Sequence, residues 1–142
     1  MSTQKNKAML VSDVMMPLER IPVVGEKVIL KEALEKMGRS RIGIACIVGA
    51  ENKLLGILTD GDFRRKLLKV QKPFSAFLVD DALDHAIRSP LTTQPDVTLI
   101  HAVALMEEKQ IWDLPIVDGN GILVGLLHLH PAVKALLGIG TK

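Results

Sequence analysis

The chain is expected to be an α/β protein made of two tandem copies of one repeat packed about a pseudo-twofold axis. Sliding the sequence by 69 positions lays Ala33 on Ala102, Met37 on Met106, Ile42 on Ile111, Ile47 on Ile116, Val48 on Val117 and Leu58 on Leu127, with Gly56 falling on Gly125. Self-similarity at a fixed offset marks repeated supersecondary units. Each copy also shows the same order of signals: a helix, two strands joined as a hairpin, and a second helix. A unit of this size cannot cover its sheet and its helices alone, so the copies should pack on each other and leave clefts between them.

The elements follow in order along the chain. After the polar stretch Met1 to Ala8, residues Val11 to Pro17 form a short helix-like piece that Ser12 or Asp13 can cap. Leu30, Leu34 and Met37 recur at helical spacing and predict a helix from Ile29 to about Arg39, its end weakened by Gly38. The β-rich runs Ile44 to Val48 and Leu54 to Thr59 flank the polar turn at 49–53 and predict a hairpin. Gly61 to Lys69 reads as an amphipathic helix, with Phe63, Leu67 and Leu68 on one side and Arg64, Arg65 and Lys66 largely on the other. Phe74, Phe77 and Leu78 make 70–81 a packed connection rather than a loose linker. The second copy opens with another helix-like piece, Leu83 to Pro90, and continues with a helix from Leu99 to Lys109. Its strands, Leu114 to Val117 and Ile122 to Leu127, flank the strong turn Asp118-Gly119-Asn120-Gly121, and Pro131 opens its last helix. The chain thus divides into a first repeat with its N-terminal segment (1–69), a connection (70–81) and a second repeat (82–142).

Composition narrows the function classes. Eighteen Lys and Arg against sixteen Asp and Glu give a net charge of +2, far from the clustered basic surface of a nucleic-acid binder. Aromatics make up 3% of the residues and Tyr is absent, which removes the stacking platforms of single-strand binding. The one cysteine, Cys46, sits in an apolar run and reads as a reduced core thiol. No apolar h-region follows the N-terminus, and no window reaches the roughly 18 to 20 apolar residues of a membrane span. A cytoplasmic protein with neither nucleic acid nor membrane as partner is expected.

The segment richest in chemistry is Gly56-Ile57-Leu58-Thr59-Asp60-Gly61-Asp62-Phe63-Arg64-Arg65, where a strand runs straight into a helix. Thr59 and Asp60 can cap that helix, and its free amides and positive dipole end favour an anion. Asp62 can accept hydrogen bonds from a sugar diol, and Arg64 or Arg65 can meet phosphate. The plainer reading of the same residues is a helix cap beside solvated arginines.

This segment, together with Leu114-Pro115-Ile116-Val117-Asp118-Gly119-Asn120-Gly121-Ile122-Leu123-Val124-Gly125, resembles the signature of cystathionine-β-synthase (CBS) domains, which occur as tandem pairs in Bateman-type modules. The resemblance runs from about Leu10 to Leu137. It implies that Thr59 offers its hydroxyl to a phosphate and Asp62 its carboxylate to a ribose. The run Thr59 to Arg65, the segment Pro22-Val23-Val24 and the run Gly125 to His130 are most similar to the C-terminal CBS pair of arabinose-5-phosphate isomerases of the sugar-phosphate-isomerase type. The resemblance covers the pair and not an isomerase domain, so it implies no catalysis by these residues. In the second copy His128 stands where Thr59 stands and Pro131 where Asp62 stands, so the two halves should not bind two equivalent nucleotides.

The expected function is a regulatory, ligand-sensing module that binds a nucleotide and signals to a partner enzyme domain. Thr59, Asp60 and Asp62 form the clamp, Arg64 and Arg65 supply charge, and His128 with His130 border the pocket. The broad family implies AMP or ATP as regulatory ligand, the closer resemblance a CMP-linked sugar, and no cofactor is required. The alternative is a structural dimerisation module without ligand; a homodimer is expected either way, because the Phe63 helix and the Val133-Leu136-Leu137 helix leave apolar surface for a twofold partner. His128 and His130, with His85 or His101 as a third, would be the only metal reading, and a zinc site needs three converging ligands. No nucleophile elbow, P-loop or dinucleotide fingerprint is present. Trp112, which aligns with Gly43, either covers a ligand or plugs the edge of the core, and the plug is the simpler reading.

Overall fold

The strand-to-helix junctions of the two repeats face each other because each repeat borrows its first segment from the other. The computed structural model describes residues 8–69 and 71–138, so the polar N-terminal stretch up to Lys7, Val70 and the last four residues of the second repeat lie outside the described residues. The elements are β1 (Val23–Gly25), α1 (Leu30–Ser40), β2 (Ile44–Val48), β3 (Leu54–Thr59), α2 (Asp60–Lys69), α3 (Phe74–Leu78), α4 (Leu99–Lys109), β4 (Asp113–Val117), β5 (Leu123–His128) and α5 (Leu129–Leu137). In the first sheet β1 runs parallel to β2, which pairs antiparallel with β3; in the second, β4 pairs antiparallel with β5.

The repeat persists at the level of register. Ile44 opposes Thr59 and Asp113 opposes His128, and both hairpins shift register at the same place, between Ile47 and Val48 and between Ile116 and Val117. Both leading helices end on a left-handed residue, Arg41 at φ 58° and Gln110 at φ 56°. Gly38 does not end α1, which runs on to Ser40, because the αL turn that satisfies the last carbonyls forms at Arg41. The helix after β3 starts at Asp60, one residue before the expected Gly61. The last helix starts at Leu129, which places Pro131 inside its first turn. The two helix-like pieces are single 3-10 turns, Val11–Asp13 and Ala82–His85; Asp13 caps the first by accepting the Leu10 N–H at 2.8 Å. Strand β1 was not evident from periodicity, since three residues are too few to show an alternation.

Strand alternation distributes the apolar side chains among three cores. Ala45, Ile47 and Leu58 join Leu30, Ala33 and Met37 in the first repeat, and Leu114, Ile116 and Leu127 join Leu99, Ala102 and Met106 in the second. The opposite strand faces, Ile44, Cys46, Val48 and Ile57 with Val117, Leu123 and Leu126, form a third core shared by both repeats. This is why all five residues of β2 are buried.

The exchange of first segments is reciprocal. Val11, in the segment that opens the first repeat, is buried in the core of the second, while Phe77 of the connection and Ala82 at the opening of the second repeat are buried in the core of the first. The hydrogen bonds match: Leu99 N donates to Met9 O (2.7 Å) and Val11 N to Val97 O (2.9 Å), as Leu30 N donates to Asp80 O (2.7 Å) and Ala82 N to Val28 O (2.8 Å). Met16 bridges Leu126 of β5, and Ile87 bridges Ile57 of β3. Both crossings pass over a glycine at the same repeat position. A Cβ on Gly56 would stand 2.8 Å from Ile87 O, and one on Gly125 2.8 Å from Met16 O. Only glycine permits a backbone to come so close.

The connection is packed, as expected, through Phe77; Phe74 is exposed. Phe77 stacks on Phe63 of α2 with ring centroids 5.6 Å apart and meets the His85 ring edge-on at 4.6 Å. His85 Nε2 lies 2.8 Å from Asp80 Oδ2, which also accepts from Lys72 Nζ at 2.8 Å. These hydrogen bonds, from Lys72 first and His85 second, hold the Asp80 carboxyl below its ordinary value.

Three consequences can be measured. Phe77→Ala removes a fully buried ring from the first core and should cost about 3–5 kcal/mol, read as a lower urea midpoint in one cooperative transition, since the repeats share a core. Asp80 stabilises the fold in its ionised form, so its contribution is complete above the unfolded carboxylate value of about 3.9 and disappears as pH falls through the lowered folded value. Asp80→Asn should therefore flatten the fall in urea midpoint below about pH 4. Burial, with a smaller push from the charge of Asp113, raises the Cys46 thiol to about 12, which leaves on the order of one thiolate in ten thousand at pH 8. Cys46 should resist a disulfide reagent in the native protein and react at once in denaturant.

Candidate functional site: the cleft between the repeats

The sharp passage from β3 into α2 is secured by Thr59. Its Oγ1 accepts the Asp62 N–H at 3.1 Å and donates to Asp62 Oδ2 at 2.8 Å, so hydroxyl and carboxylate brace the first helical turn. Arg65, one turn on, donates to Asp62 Oδ1 at 2.6 Å. Both carboxylate oxygens thus have partners within the protein, yet each keeps a further lone pair for a ligand hydroxyl. Thr59 points its one proton at Asp62, which makes it a positioning residue here rather than the free hydroxyl donor the resemblance implies. Asp60 N donates to Gly43 O at 3.0 Å, tying the start of α2 to the end of the turn before β2.

The same frame recurs in the second repeat with different side chains. Leu129 N donates to Trp112 O at 2.9 Å, and His128, the counterpart of Thr59, has its Nδ1 2.8 Å from Asp113 Oδ1. Asp113 is the cross-strand partner of His128, just as Ile44 is of Thr59. Burial pushes the Asp113 carboxyl above its ordinary value, outweighing the hydrogen bond from His128 that pulls it down.

The two junctions border one cleft of about 1030 Å³. Thr59, Asp60, Asp62, Arg64 and Arg65 line it from the first repeat, and His128 from the second. His130 does not: strand alternation ends at His128, and His130 falls on the exposed side of α5. The sequence reading also missed part of the wall. Ile87, Pro90 and Leu91 come from the crossing segment, and Lys109, Trp112 and Asp113 from the end of α4 and the start of β4. Trp112 does not plug the core edge, since it is 70% exposed at the cleft. The pairing of Asp113 with His128 was readable in principle, because the offset that aligns His128 with Thr59 also aligns Asp113 with Ile44, directly across the hairpin.

A smaller hollow of about 340 Å³ shares Asp62, Arg65 and Ile87 with the main cleft and adds Lys66, Lys69 and His85. His85 is tied to Asp80 in the connection and His101 is exposed on α4, so neither approaches His128 as a metal site would need. Among the described residues no three His, Cys, Asp or Glu are grouped to hold a metal ion. Nor is any described helix long and apolar enough to cross a membrane.

Comparison with known proteins agrees with this architecture. An arabinose 5-phosphate isomerase, KdsD, of Yersinia pestis is 31% identical over 125 residues, covering 88% of this chain and 37% of the relative. A protein of Helicobacter pylori is 33% identical over 123 residues, 86% of this chain and 35% of its own length. The chain therefore spans little more than a third of the curated relatives it matches. Among solved structures, CBSX2 in complex with AMP superposes with a TM-score of 0.80 at 27% identity, covering 92% of this chain and 98% of that one. CBSX2 from Arabidopsis thaliana gives 0.79 at 25%, covering 96% and 99%. The CBS domain profile matches residues 11–69 and again 79–137, and the chain belongs to the CBS domain family as a tandem pair.

Proposed function

We propose that this chain is a regulatory module that binds a nucleotide in the cleft between its repeats and passes the binding signal to a partner enzyme domain, with no catalytic step of its own. The observation that carries the reading is the convergence of Asp62, Arg64 and Arg65 with His128 around one cleft of nucleotide size. Asp62 suits a ribose diol, and the arginines suit phosphate. The AMP complex of a relative supports an adenine nucleotide, AMP or ATP, over a CMP-linked sugar as the first ligand to test. The longer isomerase relatives support an enzyme domain as partner. A reduced, buried Cys46 is consistent with a cytoplasmic setting.

The same proposal includes a homodimer. Phe63 is turned in against Phe77 and does not supply the apolar surface expected of it; Leu67 and Leu68 on α2 and Leu136 and Leu137 on α5 are the exposed apolar side chains instead. Placed on two helices that follow the two hairpins, they suit a twofold partner.

Two measurements test these readings. In calorimetry AMP should bind the wild-type chain, and Asp62→Ala should weaken binding tenfold or more, since a hydrogen bond to a charged group is worth about 1.5–3 kcal/mol. Pro131→Ala, at the matching place in the second repeat and off the cleft, should leave the affinity unchanged; absence of binding by AMP, ATP and CMP at millimolar concentration would leave the ligand-free dimerisation module in its place. Sedimentation should show a dimer, and Leu68→Glu should shift it toward monomer while the circular dichroism stays unchanged, because Leu68 is 82% exposed.

A further inference from the structure

We propose that Trp112 is the stacking platform for the ligand's heteroaromatic base, which divides the cleft into a base end and a diol-and-phosphate end. The inference rests on the nucleotide reading above and adds the residue that would hold the base. Trp112 is the chain's one tryptophan and stands 70% exposed, where a ring of its size ordinarily buries most of its surface. Its backbone is held firmly: it follows the left-handed cap of α4 at Gln110, and its carbonyl accepts the first amide of α5 at 2.9 Å. The exposed ring is therefore carried on a fixed frame, with little backbone entropy left to lose when a ligand binds.

Its surroundings select the occupant. Ile87 and Leu91, 42% and 39% exposed, line the same cleft with Pro90, so three exposed large apolar side chains converge on one hollow. An apolar occupant alone would leave unused the further lone pairs of Asp62 and the positive charge of Arg64 and Arg65 in that hollow. A molecule that meets both sets carries a flat apolar ring, vicinal hydroxyls and an anionic group, which is the chemistry of a nucleotide. The repeat pair also sets polarity. At the position of Trp112 the first repeat has Gly43, which has no side chain, so this chain carries the ring on the second repeat only.

Because no other tryptophan is present, the emission of the full chain reports this one site. Saturation with AMP should quench or shift that emission. Trp112→Leu should weaken AMP binding about tenfold by calorimetry, and Trp112→Phe, which keeps an aromatic face, should restore affinity to within about threefold of wild type. Circular dichroism should be unchanged in both variants, as expected for an exposed side chain. AMP binding that is unaltered in Trp112→Leu, or saturation by AMP without any change in emission, would overturn the platform while leaving the nucleotide reading intact. Emission that changes with protein concentration in the absence of nucleotide would likewise overturn it, assigning the ring to a contact between copies of the chain. Failure of AMP, ATP and CMP alike to bind the wild-type chain would overturn both.

Discussion

The close crossing of two backbones over Gly56 and Gly125 is the constraint on which the remaining architecture depends. At each crossing a segment from one repeat hydrogen-bonds to the second strand of the other, with Ile57 and Ile87 exchanging bonds at 3.0 and 2.8 Å and Met16 and Leu126 at 2.8 and 3.0 Å. Each repeat completes its core with residues from the segment that leads into the other's first helix, Val11 in one direction and Phe77 with Ala82 in the opposite one. Neither repeat can then close its core alone, and the central core of Ile44, Cys46, Ile57, Leu123 and Leu126 joins the two sheets behind the crossings. Because Ile87 belongs to a crossing and also lines the cleft, the cleft wall inherits the rigidity of the shared core.

Near-identical frames with different side chains turn this symmetry into a chemical asymmetry. At both junctions the first amide of the trailing helix is held by a carbonyl from the turn before the hairpin, Gly43 in one repeat and Trp112 in the other. On that common frame the first repeat sets a Thr-Asp-Arg chain of hydrogen bonds, and the second sets an Asp-His pair beside an exposed indole. Duplicated backbones with diverged junctions give one cleft two chemically distinct ends, which a pair of identical repeats could not do.

At Asp62 the group that braces the helix start is also one that lines the cleft. The carboxylate that accepts the Thr59 hydroxyl also anchors Arg65, and each of its oxygens keeps a further lone pair. The first turn is braced within the protein itself, so the carboxylate is an oriented acceptor rather than a rotating one.

The sequence by itself determined the repeat, its offset, the helix-hairpin-helix order and the junction at Thr59 to Arg65, because each of these is a local signal of periodicity, turn chemistry or capping within a dozen residues. It also contained the asymmetry between Thr59 and His128, since a fixed offset compares positions without any knowledge of space. Only the tertiary structure decided that β1 forms, that the first segments cross over, that His130 leaves the cleft and that Trp112 stands open in it. Strand β1 exists through its partner β2, and the crossings exist because Gly56 and Gly125 meet chain that is distant in sequence. His130 is turned away because the strand ends at His128, two residues short of what the spacing of the two histidines assumes. These outcomes depend on which backbones come within hydrogen-bonding distance after folding, and no pattern confined to a short window of residues carries that information.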